Sequence, residues 1–231
     1  MKAPSSNPRP HEIPEASLRR LPIYYRSLQD MMTAGVAQVV SCADLARVLD
    51  LDPTLVRKDI EMTGIVGKPR VGYPLGDLLR WIENFLGWSR PKAAVLVGTG
   101  SLGSALLGYE KFRSHGMQIV AAFDVDCEKI GQRIHGTEVQ PLFFLPDFVR
   151  KTGTPLGIIA TPADAAQSVA NLMVTGGIRA IWNFAPAHIQ VPERVILQNE
   201  DLYHSLASLS FKLESRMGAS PLESEIYAQD N

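Results

Sequence analysis

The run Ala93-Ala94-Val95-Leu96-Val97-Gly98-Thr99-Gly100-Ser101-Leu102-Gly103 constrains this chain more than any other stretch. An unbroken apolar segment suits a strand buried on both faces, and the Gly-x-Gly-x-x-Gly that ends it lets the strand turn straight into a helix. The free N–H groups and the positive end of such a helix favour a diphosphate. The three glycines act differently. Gly98 permits the tight turn, Gly100 lets backbone approach a phosphate, and Gly103 lets the helix lie close on the sheet. Thr99, Ser101 and Leu102 complete the turn. A second apolar stretch, Val120-Ala121-Ala122-Phe123-Asp124, ends in a carboxylate about twenty residues on, placed to accept hydrogen bonds from ribose hydroxyls and to repel a 2′-phosphate. Together the two segments predict a dinucleotide site preferring NAD(H) to NADP(H). The alternatives are a glycine turn that only packs, or one that holds a related ligand such as coenzyme A.

Strand and helix patterns go on alternating after Asp124. Leu156 to Thr161 reads as a buried strand, Pro162 to Thr175 as an Ala-rich helix, Ala180 to Asn183 as a strand and Val195 to Asn199 as a last one. This alternation predicts an α/β fold over residues 92–200, a Rossmann-type doubly wound parallel sheet with right-handed crossovers. Ligands in such sheets sit beyond the carboxyl ends of the strands. That rule groups Gly98, Asp124, Thr161 with Pro162, and Asn183 with Phe184, Ala185 and Pro186 as the candidate cofactor-binding residues. Leu202, Leu206, Leu209 and Leu213 run down one side of a final helix over 201–217. It packs either on its own sheet or on a partner. Residues 218–231 read as a loose polar tail.

The sheet begins only near residue 92, so another domain precedes it. Residues 1–13, rich in proline, read as a disordered arm. From Pro14, Leu18, Leu21, Tyr25, Leu28 and Met32 recur at helix period up to Gly35. Ser41 caps a second helix with Leu45, Val48 and Leu49 inward, and Pro53 begins a third through Leu55, Val56 and Ile60. The pair suits a helix-turn-helix, its second helix carrying Arg57 and Lys58 outward. Glycines then bracket Ile65-Val66 and Val71-Tyr73 as two short strands with Lys68, Pro69 and Arg70 at the tip, the pattern of a wing. The plainer reading of those cations is a solvated turn. A further helix from Leu75 to Phe85 closes a winged-helix domain over 14–87, with Gly87 to Pro91 as the boundary. Ser41, Thr54, Arg57, Lys58, Lys68 and Arg70 are its candidate DNA contacts.

Composition narrows the classes further. With 23 basic against 24 acidic residues in 231, the net charge is −1, so DNA contact must rest on local placement of a few cations. No segment suggests a signal peptide or a membrane span, and a cytoplasmic protein is expected. Cys42 and Cys127 have neither disulfide nor metal-ligand spacing and are expected to be small packing residues; no metal is indicated.

Several stretches in fixed order resemble one family, the Rex redox-sensing transcriptional repressors, from about Ile13 to Met217. They are Arg20-Leu21-Pro22-Ile23-Tyr24-Tyr25-Arg26, Val56-Arg57-Lys58-Asp59, Val71-Gly72-Tyr73, Ala121 to Asp126 with Lys129-Ile130-Gly131, and Asn183-Phe184-Ala185-Pro186. The resemblance implies a homodimer that exchanges its C-terminal helix, binds NADH or NAD+, and releases a palindromic double-stranded DNA operator when NADH binds. It also implies a switch in which Tyr109 and Arg26 join Asp201 across the dimer in the DNA-binding form and part when NADH enters. The chain departs from the family pattern at Glu61-Met62-Thr63, where Ser-Tyr-Phe is usual, and at Gly67-Lys68-Pro69-Arg70, where Gly-Lys-Arg-Gly is usual.

Two rivals stand beside this expectation. An NAD-dependent oxidoreductase needs a substrate domain, for which too few residues follow Asn183, and a hydride-transfer motif; only His188 and His204 are near candidates. A coenzyme A-binding ligase subunit shares the glycine turn but has no need of a ribose carboxylate at Asp124 or of a winged helix.

Overall fold

The computed structural model describes residues 13–35, 38–200 and 202–217. The expected N-terminal arm up to residue 12, the polar tail and Asp201 lie outside the described residues. Two units divide the chain: Met1–Pro91 with Lys111–Met117, and Lys92–Glu110 with Gln118–Asn231.

In the first unit α1 (Glu15–Thr33), α2 (Cys42–Leu49), α3 (Pro53–Glu61) and α4 (Leu75–Phe85) enclose one core. Leu21, Tyr24, Leu28, Leu45, Val56, Ile60, Leu78 and Ile82 are completely buried in it. Leu18 and Met32 belong to the same apolar stripe of α1 yet are exposed. Val48 is likewise exposed, and Ala46 takes the buried place on α2. Ser41 closes a capping box with Asp44, and Asp52 caps α3 by accepting from the N–H groups of Thr54 and Leu55.

The wing differs from its expectation. Ile65-Val66 forms no strand; the turn is closed by a single bridge in which Lys68 and Gly72 exchange N–H···O bonds of 2.8 and 2.9 Å. Two-residue strands β1 (Val39–Val40) and β2 (Tyr73–Pro74) pair antiparallel and anchor the base of the wing. The Lys111–Met117 segment, which holds the one-turn helix α6 (Lys111–Ser114) and is expected within the nucleotide unit, clusters with the first unit. His115 there meets the Trp88 ring edge-on at 4.4 Å and the Tyr25 ring at 6.0 Å.

The second unit holds β3 (Lys92–Val97), β4 (Met117–Asp124), β5 (Arg133–Ile134), β6 (Thr137–Pro141), β7 (Leu156–Ile159), β8 (Ala180–Asn183) and β9 (Ile196–Asn199) in one sheet of order β5-β6-β4-β3-β7-β8-β9. The pairs β4·β6, β3·β7, β7·β8 and β8·β9 are parallel, and β5 is an antiparallel edge. Counted from β3, the six main strands stand in the order 3-2-1-4-5-6, with a topological switch point between β3 and β7. Along β3 successive side chains alternate faces. Val95 and Val97 join the core that includes α7 (Leu145–Thr152) and α8 (Ala163–Gly176), while Leu96 lies beside Gly103 of α5 (Ser101–Leu107). The sequence reading does not predict the β5–β6 hairpin, whose strands are too short to show a period, or α7, although Leu145, Phe148 and Val149 recur there at helix spacing. Free Cys42 is buried, but Cys127 is exposed in the turn after β4, contrary to its expected packing role.

Candidate nucleotide site and nucleic-acid interface

The glycine turn lies at the switch point. Gly98 adopts φ +93°, and a Cβ there would stand 2.5 Å from the Ala160 carbonyl oxygen at the end of β7. Only glycine meets both conditions. A Cβ on Gly103 would fall 1.8 Å from the Gly98 carbonyl oxygen, so that glycine lets α5 close on the turn. Gly100, the N-cap of α5, meets nothing within 4 Å. The turn is therefore tight against protein on two sides and open at the glycine expected to face a phosphate. Ser101 and Leu102, both exposed, form the first turn of α5 beside it.

Asp124, at the carboxyl end of β4, is already held by protein donors. Its Oδ2 accepts from the Thr99 N–H at 2.7 Å and the Thr99 hydroxyl at 2.6 Å, and its Oδ1 from the N–H groups of Val125 and Asp126. Burial alone would push this carboxyl up, but the Thr99 and Asp126 hydrogen bonds and Lys129, 3.8 Å away, together hold it below the ordinary carboxylate range. A ribose hydroxyl placed here would meet an ionised acceptor and compete with the Thr99 hydroxyl for it. Thr161 supplies a complementary signal. Its hydroxyl oxygen is buried without a hydrogen-bond partner among the described residues, and its methyl would touch a Cβ on Gly98. A buried, unsatisfied hydroxyl against the phosphate turn is costly unless a ligand completes it. The open Gly100, the ionised Asp124 and the orphaned Thr161 fit a dinucleotide; Pro162 is exposed at the N-cap of α8.

Asn183 is placed differently from its expectation as a direct contact. It is 1% exposed; its amide donates to Asn199 Oδ1 and to the Ala187 and Ala185 carbonyls, and its Oδ1 accepts from the Ala185 N–H. All of this shapes the loop after β8. On that loop Ala185 is buried in the core, Phe184 is half-buried with its ring 4.7 Å from Trp182, and Pro186 is exposed.

In the first unit a groove of about 770 Å³ runs between the start of α2, the end of α3 and the wing. It brings Ser41, Arg57, Lys68 and Arg70 together, with Glu61 among them, and does not include Thr54 or Lys58. Those two are exposed on the same face of α3. Ser41 is half-buried and its hydroxyl is engaged with Asp44 at 2.6 Å. Arg70, at φ +61°, sits at the exposed tip of the turn.

Residues 12–60 match a family model described as "Putative DNA-binding protein N-terminus", and residues 89–187 one described as "CoA binding domain". A redox-sensing transcriptional repressor Rex from Treponema denticola is 43% identical over 206 residues, covering 89% of this chain and 98% of its own. That relationship decides the family. The chain belongs to the Rex family of redox-sensing transcriptional repressors. The structure of the Rex-family repressor RSP with β-NAD+ and operator DNA superposes with a TM-score of 0.84 at 29% identity, covering 95% of this chain and 99% of that one. RSP with β-NADH gives 0.80 at 30%, covering 89% and 96%.

Of the residues expected to form a switch, Arg26 is exposed on α1, Tyr109 is 51% exposed just past α5, and Asp201 lies outside the described residues. One group in this Rex chain lies within the motif stretches quoted above, Arg20 to Arg26 and Val56 to Asp59, but the sequence reading gives it no role. Asp59, 1% exposed on α3, accepts from Arg20 in a two-pronged pair of 2.6 and 2.9 Å and from the Tyr24 hydroxyl at 2.7 Å. A signal for it exists: Asp59 shares the inward face with Val56 and Ile60, and a carboxylate there requires a cation.

Proposed function

We propose that this chain is a repressor that holds a palindromic DNA operator and releases it when NADH binds. One observation carries the reading: a single chain joins a cation-lined winged-helix groove to a nucleotide turn open at Gly100 and lined by the unsatisfied Thr161 hydroxyl. Gly98 to Gly103, Asp124, Thr161 and Pro162 hold the ADP-ribose that NAD+ and NADH share, and such contacts alone shift no equilibrium. Discrimination comes from the nicotinamide, cationic when oxidised and neutral when reduced. An apolar lining from Phe184 and Pro186, on the loop that Asn183 and Ala185 fix in place, penalises the cation by desolvation. Turning the equilibrium fully over takes a preference of roughly 10⁴-fold between states, about 5.5 kcal/mol, which two sites in a dimer can share.

The C-terminal helix α9 (Leu202–Met217) supports the dimer. Tyr203, Leu206, Leu209, Phe211, Leu213 and Met217 are each more than half exposed within one chain. So apolar a helix calls for a second copy, and exchange of α9 between protomers covers it. Two winged helices related by a two-fold axis then read half-sites one or more helical turns apart. Arg57, Lys58, Lys68 and Arg70 supply the phosphate and base contacts, with Ser41 and Thr54 at the helix starts. Tyr109, Arg26 and Asp201 form the switch, the protein acts in the cytoplasm, and it turns over no substrate.

Selection of duplexes from a random pool with no nucleotide, with NAD+ and with NADH, read by fluorescence anisotropy, tests this function. A palindrome enriched without NADH and released by it is the expected result. NADH binding with no enrichment in any condition overturns it, and NADH turnover would favour an oxidoreductase. Displacement of NADH by coenzyme A would favour the ligand that the second family model names.

A further inference from the structure

The winged-helix groove contains one charge of the wrong sign. Arg57, Lys68 and Arg70 are cations, and Glu61 is the one acid among the residues that line it. Exposed on the last position of α3, Glu61 follows Arg57 by one turn and shares the outward face with Thr54 and Lys58. Among the described residues no cation lies within 4.0 Å of its carboxylate and no donor bonds to it, whereas Asp44 and Asp77, also in this unit, are each paired with an arginine. A carboxylate at a helix C-terminus also opposes the helix dipole. Facing DNA, it opposes the phosphates as well. Among the described residues, therefore, no directly paired cation neutralises the charge.

The mount is firm. The Glu61 carbonyl accepts from the Gly64 N–H at 3.0 Å, the Thr63 hydroxyl donates to the Ile60 carbonyl at 2.6 Å, and Asp59 ties the preceding turn to α1. The side chain is thus presented from a fixed backbone into the groove. An ionised carboxylate only accepts hydrogen bonds, and in the major groove the donors are the N4 amino group of cytosine and the N6 amino group of adenine.

We infer that Glu61 is a specificity-determining residue that accepts a hydrogen bond from an exocyclic amino group, of cytosine or adenine, at one position of each operator half-site. This rests on the DNA-binding function proposed above. The carboxylate gives up phosphate attraction everywhere to gain discrimination at one base pair. It lines the same groove as Arg57 and the wing cations, which puts that base pair inside the contacted segment.

Duplex selection without nucleotide is run on the wild type, Glu61→Ser and Glu61→Gln. The side chain is exposed and unpaired, so both variants keep the fold, which circular dichroism and thermal unfolding check. The wild type requires cytosine or adenine at one symmetric position, and losing that base weakens binding by roughly 5- to 100-fold. Replacing the base by 2-pyrimidinone (for cytosine) or by purine (for adenine) removes the amino group alone, causes the same loss and tells the two bases apart. Glu61→Ser flattens the preference at that position, leaves the others unchanged and binds random duplexes more tightly. Glu61→Gln moves the preference toward adenine, whose N6 and N7 match an amide. If Glu61→Ser tightens binding to every duplex by one factor with an unchanged preference, Glu61 only repels phosphates and the assignment is wrong. A wild type that enriches no duplex at all overturns the proposed function along with it.

Discussion

Asp59 and Asp124 are both buried carboxylates, and they stay ionised by different means. Asp59 faces a full positive charge, Arg20, with the Tyr24 hydroxyl as a second donor. Burial works against its charge, but the Arg20, Tyr24 and Ser17 interactions outweigh it and hold the carboxyl below its ordinary range. Asp59→Asn leaves Arg20 without its counter-charge and should cost about 3 kcal/mol of unfolding free energy at pH 7. Because the folded value is depressed, the wild-type contribution is complete above about pH 4 and is lost as pH falls through that lower value. Denaturant unfolding at pH 7 and in acid should therefore show the gap between the two proteins narrowing in acid. Asp124 is held mainly by neutral donors on the turn it serves. Asp124→Ala should weaken NADH and NAD+ by one common factor, on the order of 10- to 100-fold. Calorimetry that found the two nucleotides affected unequally would remove Asp124 from the shared ADP-ribose contacts.

Among the elements, α9 stands apart because its apolar residues are exposed while every other long helix buries a stripe. Full burial of one leucine contributes roughly 1.5–3 kcal/mol, so covering several on each of two helices supplies a strong drive to associate. The wild type should sediment as a dimer. Leu206→Glu with Leu209→Glu should shift it to monomer and lower operator affinity steeply, since a monomer spans one half-site. A double variant that remained dimeric would place the interface elsewhere. The recognition helix α3 shows the opposite arrangement. Its inward face of Val56, Asp59 and Ile60 is fully committed to the core, which leaves Thr54, Arg57, Lys58 and Glu61 free to face a ligand.

At the scale of the molecule, the chain passes between its two units at residues 91/92, 110/111 and 117/118. The helix that follows the glycine turn thus leads within a few residues into a segment belonging to the DNA-binding unit, and Tyr109 stands just before that passage. Tyr109→Phe should leave NADH affinity nearly unchanged while NADH no longer releases DNA, as read by anisotropy with a fixed operator. Retention of full coupling in that variant would remove Tyr109 from the switch.

The glycine turn, the acid after β4 and the two helices before the wing are legible in the sequence because each rests on local chemistry. A positive φ, a cap or a run of apolar residues is written in neighbouring positions. Asp59 is half legible: its inward register demands a cation, but only folding selects Arg20, 39 residues away. The β1–β2 ribbon is not legible, since two-residue strands have no period and are defined by a partner distant in sequence. Tertiary structure alone decides that Asn183 serves its own loop, that Thr161 keeps an unsatisfied hydroxyl at the glycine turn, and that Glu61 shares a groove with the wing cations. Each depends on which atoms the fold brings within hydrogen-bond or Coulomb range, a property of space that residue order does not contain.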